Sequence, residues 1–164
     1  MKLLLSTVLS AFALCASAAV IAPGSVAKLT LTSNSDLCVA SAGTDVGSQL
    51  TLASCDADLT AFEVVRAAPG SDPTQLALNA TFSSGGPIAC ISASGVANDG
   101  PLFLDVCEDD LFQRWNVNGG TTQGPIVNAG QTACLTAAAN TEGSAITFST
   151  CFGEDTQEWT ATLV

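Results

Sequence analysis

The chain has 164 residues, with 4 Lys or Arg against 15 Asp or Glu and no His, for a formal net charge of −11. Beyond Lys2 the cations are Lys28, Arg66 and Arg114, too few and too scattered to build the basic patch that nucleic acid or an anionic bilayer requires. The absence of histidine removes Ser-His-Asp and Cys-His catalysis and the common zinc constellations, and nothing in the sequence calls for a metal or a cofactor.

The first segment, Met1-Lys2, an apolar run from Leu3 to Cys15, and the small residues Ala16-Ser17-Ala18-Ala19, reads as a secretory signal peptide over residues 1–18. It is shorter than the ~20 apolar residues of a membrane helix. The expected product is a secreted, extracellular domain over 19–164 with no membrane insertion. Cys15 leaves with the leader. Cys38, Cys55, Cys90, Cys107, Cys134 and Cys151 remain, an even set that in a secreted chain implies disulfides.

Along the rest of the chain the cysteines mark three repeats, about 24–68, 72–120 and 121–164, because each pair is separated by 17 positions. The first cysteine of each pair is followed by Val39, Ile91 or Leu135. Before the second stand Leu50-Thr51-Leu52, Leu102-Phe103-Leu104 or Ile146-Thr147-Phe148. Such i, i+2 alternation predicts strands with one face inward. The stretches between, 43–47, 95–100 and 140–143, are rich in Gly, Asn and Asp, so each repeat is expected to hold a hairpin with its cysteines facing one another. Six cysteines allow fifteen pairings; repeat symmetry favours Cys38–Cys55, Cys90–Cys107 and Cys134–Cys151.

Past the second cysteine, an acidic turn leads to Gln113-Arg114-Trp115 in the second repeat and Gln157-Glu158-Trp159 in the third. The first repeat reaches Phe62 one residue early, with no glutamine. Rings at equivalent places predict one shared core layer. The acidic turns Asp56/Asp58, Glu108-Asp109-Asp110 and Glu154-Asp155 read as solvated, a weak calcium site being the alternative. Between repeats, Arg66 opens a Pro/Gly-punctuated loop. Asn79-Ala80-Thr81 is a sequon for N-glycosylation.

Cys-apolar, Leu-x-Leu, Cys and Gln-x-Trp in three successive frames resemble the ricin B-type lectin domain. That resemblance implies an all-β β-trefoil in which each repeat supplies four strands, six of the twelve close a short barrel, six form capping hairpins, and the cysteine pairs are structural. Sugar sites of that family use an Asp two residues after the first cysteine, an aromatic ring two before the second, and an Asn before the Gln of Gln-x-Trp. This chain has Ala40, Ser92 and Thr136 at the first place, Ala53, Asp105 and Ser149 at the second, and Phe112 and Thr156 at the third. The usual galactose-site pattern is therefore absent from every repeat.

The function expected is non-covalent recognition of a glycan or glycoprotein, not enzymatic turnover. Ser92, Asp105, Gln113 and Asn116 of the second repeat and Thr136, Ser149 and Gln157 of the third are the candidate ligand-binding residues, with Phe103, Phe112 and Phe152 as candidate stacking rings. The alternatives are a secreted β-trefoil protease inhibitor that presents Arg66, or an effector that binds a host protein.

Overall fold

A strand that alternates apolar and polar residues can bury one face and hydrate the other. In β1 (Ser25–Leu31), Ala27, Leu29 and Leu31 are buried while Lys28 and Thr30 between them are not. The computed structural model describes residues 19–70 and 72–164; the signal peptide expected over residues 1–18 lies outside the described residues. The first repeat continues with β2 (Leu37–Ser41), β3 (Leu50–Ser54) and β4 (Ala61–Val64). The second has β5 (Leu76–Leu78), β6 (Ala89–Ser92), β7 (Gly100–Pro101) with β8 (Phe103–Val106), and β9 (Trp115–Val117). The third has β10 (Gly124–Asn128), β11 (Ala133–Ala137), β12 (Ile146–Thr150) and β13 (Glu158–Leu163).

The outer strands of each repeat form a barrel. β4 pairs with β1, β1 with β13, β13 with β10 and β10 with β9. β4 also pairs with β5, and a bridge between Thr74 and Trp115 joins the β5 and β9 sides to close the ring. The inner strands form the hairpins β2–β3, β6–β8 and β11–β12. Each hairpin is tied to the next by the same backbone bond: Gly47 N–H to Leu104 O (2.7 Å), Asp99 N–H to Phe148 O (2.7 Å) and Gly143 N–H to Leu52 O (2.8 Å). The architecture is the all-β β-trefoil that the repeats and the resemblance imply.

The three disulfides join Cys38–Cys55, Cys90–Cys107 and Cys134–Cys151, with Cα–Cα distances of 4.9, 4.9 and 5.1 Å. Each closes a 17-residue span, worth about 3 kcal/mol by restriction of the unfolded chain. They place the chain with proteins of oxidising, extracellular compartments. The cysteines do not stand directly opposite one another. Cys38, Cys90 and Cys134 face Ala53, Asp105 and Ser149, and each bridge runs diagonally to the cysteine two places on. The diagonal follows from the register, which carries on past the strands: Cys55 N–H bonds Asp36 O and Cys107 N–H bonds Ile88 O, so each second cysteine stands opposite the residue two places before the first.

The shared ring layer is present, with Phe62, Trp115 and Trp159 all buried. Each indole N–H has a partner, Trp115 Nε1 donating to Ile91 O (3.0 Å) and Trp159 Nε1 to Leu135 O (2.9 Å). Those acceptors are the apolar residues after the first cysteine of the same repeat. The ring therefore packs under its own hairpin as buried tryptophan must, with its polar atom satisfied. In the first repeat the missing residue is taken up at Leu59, which adopts φ of 60°.

At the bond that links neighbouring hairpins, Gly47 and Gly143 have φ of 89° and 82°, and Asp99 has φ of 64°. Only glycine adopts that region without steric cost. Asp99→Gly is expected to raise stability by about 0.5–1 kcal/mol, and Asp99→Val to lower it, both read from the midpoint of urea unfolding. A lowered midpoint for the glycine variant would refute this account of the turn.

Candidate binding cleft of the third repeat

On the hairpin β11–β12, the residues between the core positions Leu135, Ile146 and Phe148 face away from the core. Thr136 stands in register with Thr147, and Cys134 with Ser149, so these hydroxyls share one face. Ser149 Oγ lies 3.0 Å from Thr147 Oγ1. Thr136 Oγ1 donates to Cys134 O (3.1 Å) and accepts from Gln157 Nε2 (3.1 Å). The turn of the second repeat reaches across to them, Asn98 Oδ1 accepting from both the N–H and the hydroxyl of Thr150 (3.0 and 3.1 Å). That contact brings Asp99 to the rim.

Together these groups line an open cleft of about 410 Å³, completed by Phe152, Glu154 and Thr156. The Phe152 ring is 75% exposed, and its position is set by Gln157. The side-chain Oε1 accepts from Phe152 N (2.8 Å) and Gly153 N (3.2 Å), while Nε2 also donates to Thr150 O (2.8 Å). Gln157 is thus fully committed within the fold, and its part in the cleft is to hold the Phe152 turn against β11 and β12.

Thr136, Ser149 and Gln157 of the sequence-derived candidates therefore converge. Those of the second repeat are held separately. Ser92 is fully buried and its hydroxyl accepts from Ser94 N (3.2 Å). Asp105 Oδ1 accepts from Val106 N (2.8 Å). Gln113 is buried, its amide bridging Glu108 N and Val106 O at 2.8 Å each. Asn116 lies on the barrel strand β9, beside a different hollow of about 20 Å³ next to Ala67–Gly70. In repeat register, Phe103 and Phe112 occupy the places of Thr147 and Thr156, and both rings are half-buried, Phe112 against the core. Of the three candidate rings, only Phe152 stands free.

The cleft also contains residues outside the candidate ligand-binding set: Asp99, Thr147, Thr150, Glu154 and Thr156. Thr147 was legible as the i−2 neighbour of Ser149. Asp99 belongs to another repeat, and no local signal joins it to this one.

Arg66 is turned onto Asp109 (3.3 Å), which also accepts from Arg114 Nε (3.0 Å) and from Arg114 Nη2. The Arg114 hydrogen bond first, then the charges of both arginines, hold the Asp109 carboxyl below its ordinary range. The Arg66 backbone is pinned as well, its N–H donating to Thr74 Oγ1 (2.8 Å).

No family model and no curated protein matches the chain by sequence. Solved structures match its fold. A designed 3-fold symmetric protein, ThreeFoil, superposes with a TM-score of 0.70 at 15% identity, over 84% of this chain and 97% of its own. The exo-beta-1,3-galactanase 1,3Gal43A from Clostridium thermocellum gives a TM-score of 0.72 at 13% identity over 85% of this chain, and only 30% of the galactanase chain is matched. The cytolethal distending toxin from Actinobacillus actinomycetemcomitans gives 0.63 at 19% identity, over 84% of this chain and 90% of the toxin chain. At such identities the likeness is one of fold.

Removal of a buried amide that satisfies two backbone groups leaves both without partners. Gln113→Leu is expected to cost about 1–3 kcal/mol, seen as a lower urea midpoint with an unchanged slope. An unaltered midpoint would mean that Gln113 does not fasten its turn.

Proposed function

We propose that this protein is an extracellular carbohydrate-binding protein of the ricin B-type lectin kind, and that its working site is the cleft of the third repeat. The observation that carries the reading is the free Phe152 ring beside the hydroxyls of Thr136, Thr147 and Ser149. A pyranose has an apolar face and a rim of hydroxyls. An exposed ring covers the first, and side-chain hydroxyls and carboxylates pair with the second. Glu154 and Asp99 supply those carboxylates, replacing the Asp that the family carries after the first cysteine. The galactanase, named for its action on a sugar polymer, carries the same fold as 30% of its chain, which supports the same direction.

The site recognises and does not turn over. Glycoside hydrolysis needs one carboxyl kept protonated near neutral pH by burial, whereas Asp99 and Glu154 are both exposed. The pairing of Arg66 with Asp109 favours the cleft over a loop that inserts an arginine into a protease.

A glycan array probed with the disulfide-intact protein is expected to return one defined class of neutral or amino sugars. Phe152→Ala should weaken that binding about tenfold, since about 50 Å² of apolar contact is worth about 1.3 kcal/mol, while Phe112→Ala should leave it in place. Binding that ignores Phe152, or an array that stays empty while control lectins bind, would sink the proposal.

A further inference from the structure

Asn79-Ala80-Thr81 opens the short 3-10 helix Asn79–Ser83, which joins the barrel strand β5 to the loop before β6. Asn79 is exposed and Thr81 is buried. The Thr81 hydroxyl donates to Leu78 O (2.7 Å) and accepts from Ala89 N (3.2 Å), so in the folded protein it is locked between β5 and β6. Residues i and i+3 of a 3-10 helix eclipse one another, which sets Phe82 beside Asn79. The Phe82 ring is 44% exposed and Ile88 39%. With Val65 and Ala77 they edge an apolar groove of about 160 Å³ beside the Cys90–Cys107 bridge. A phenyl ring and an isoleucine open to water next to an acceptor asparagine suit a cover that is apolar on one face and hydrated on the other.

We infer that Asn79 carries an N-linked glycan, that its innermost N-acetylhexosamine lies on Phe82 and caps this groove, and that the glycan is added before the chain folds. In the transfer, the anomeric C1–O bond of an oligosaccharide diphospholipid donor breaks and a C1–Nδ2 bond to Asn79 forms. The amide loses one proton, the lipid diphosphate departs, and no oxidant or reductant is involved. The transferase reads the sequon hydroxyl, and Thr81 can present it only while β5 and β6 are not yet paired. Order of events follows from that burial: modification first, then closure of the barrel. The glycan seat is remote in sequence from the cleft residues of the third repeat and is independent of the sugar-binding reading.

The test is secretion of the full chain from yeast, with site occupancy read by mass spectrometry and stability by thermal unfolding. Expected are one glycan at Asn79, a Tm about 2–4 °C lower for Asn79→Gln, and little change when the glycan is trimmed enzymatically to its first sugar. In the Phe82→Ala background the gap between glycosylated and Asn79→Gln proteins should close. An unoccupied Asn79, or a gap that persists without the Phe82 ring, would overturn the inference. So would efficient glycosylation of chain already folded with its disulfides formed, in microsomes that modify the reduced, unfolded chain.

Discussion

A barrel built from small aliphatics has little area per side chain to bury, and it holds together only if its open end is closed. Here the closure is made by backbone. Gly47, Asp99 and Gly143 each donate an N–H from the turn of one hairpin to a carbonyl of the next, at 2.7–2.8 Å, so that the three hairpins form a continuous ring over the barrel. Each of those turns must enter the left-handed region to aim its N–H. The inward Leu50, Leu102 and Ile146, and behind them Leu52, Leu104 and Phe148, are packed by that closure. Trp115 meets Phe148 edge-on at 6.2 Å between ring centroids, so the second repeat's ring is also locked against the third repeat's hairpin. Removal of one hairpin therefore exposes the core of its neighbour, and the three repeats are one folding unit.

Within that frame, the tail of each repeat is a second device. A buried glutamine under the turn after the second cysteine bonds two or three backbone groups of that turn. Gln113 and Gln157 do this in the second and third repeats. In the first repeat Thr60 takes the place, its hydroxyl reaching Ala57 O at 3.0 Å, and the shorter side chain suits the shorter turn.

The proposed site lies where the threefold symmetry breaks. The hairpin face that could meet a ligand is the same in all three repeats, but it carries Thr51 and Ala53 in the first, Phe103 and Asp105 in the second, and Thr147 and Ser149 in the third. In the second, Phe103 and Phe112 take up the space as half-buried rings. In the third, small hydroxyl residues leave a cleft open, and Phe152 stands at its edge. The neighbouring repeat adds Asp99 because hairpin ring closure places its turn there. The turn whose backbone N–H helps to close the ring thereby also stands on the wall of the cleft.

By itself the sequence determined the repeats, the cysteine pairing, the alternation that makes the hairpins and the burial of Phe62, Trp115 and Trp159. All of these follow from spacing within one repeat, where period 2 and a constant interval leave few choices. It also offered Thr136, Ser149 and Gln157 as candidates, on the same frame positions as Ser92, Asp105 and Gln113. Only the tertiary structure decided that the second-repeat candidates Ser92, Asp105 and Gln113 are each hydrogen-bonded to nearby backbone, and that Asn116 lies on the barrel strand β9. It likewise decided that the two glutamines face inward to backbone partners, that the disulfides run diagonally, and that Arg66 folds back on Asp109 across 43 positions of sequence. The physical reason is the same in each case. Which way a polar side chain turns depends on what stands opposite it, and here the opposite groups come from other strands and other repeats, brought within reach only when the barrel closes.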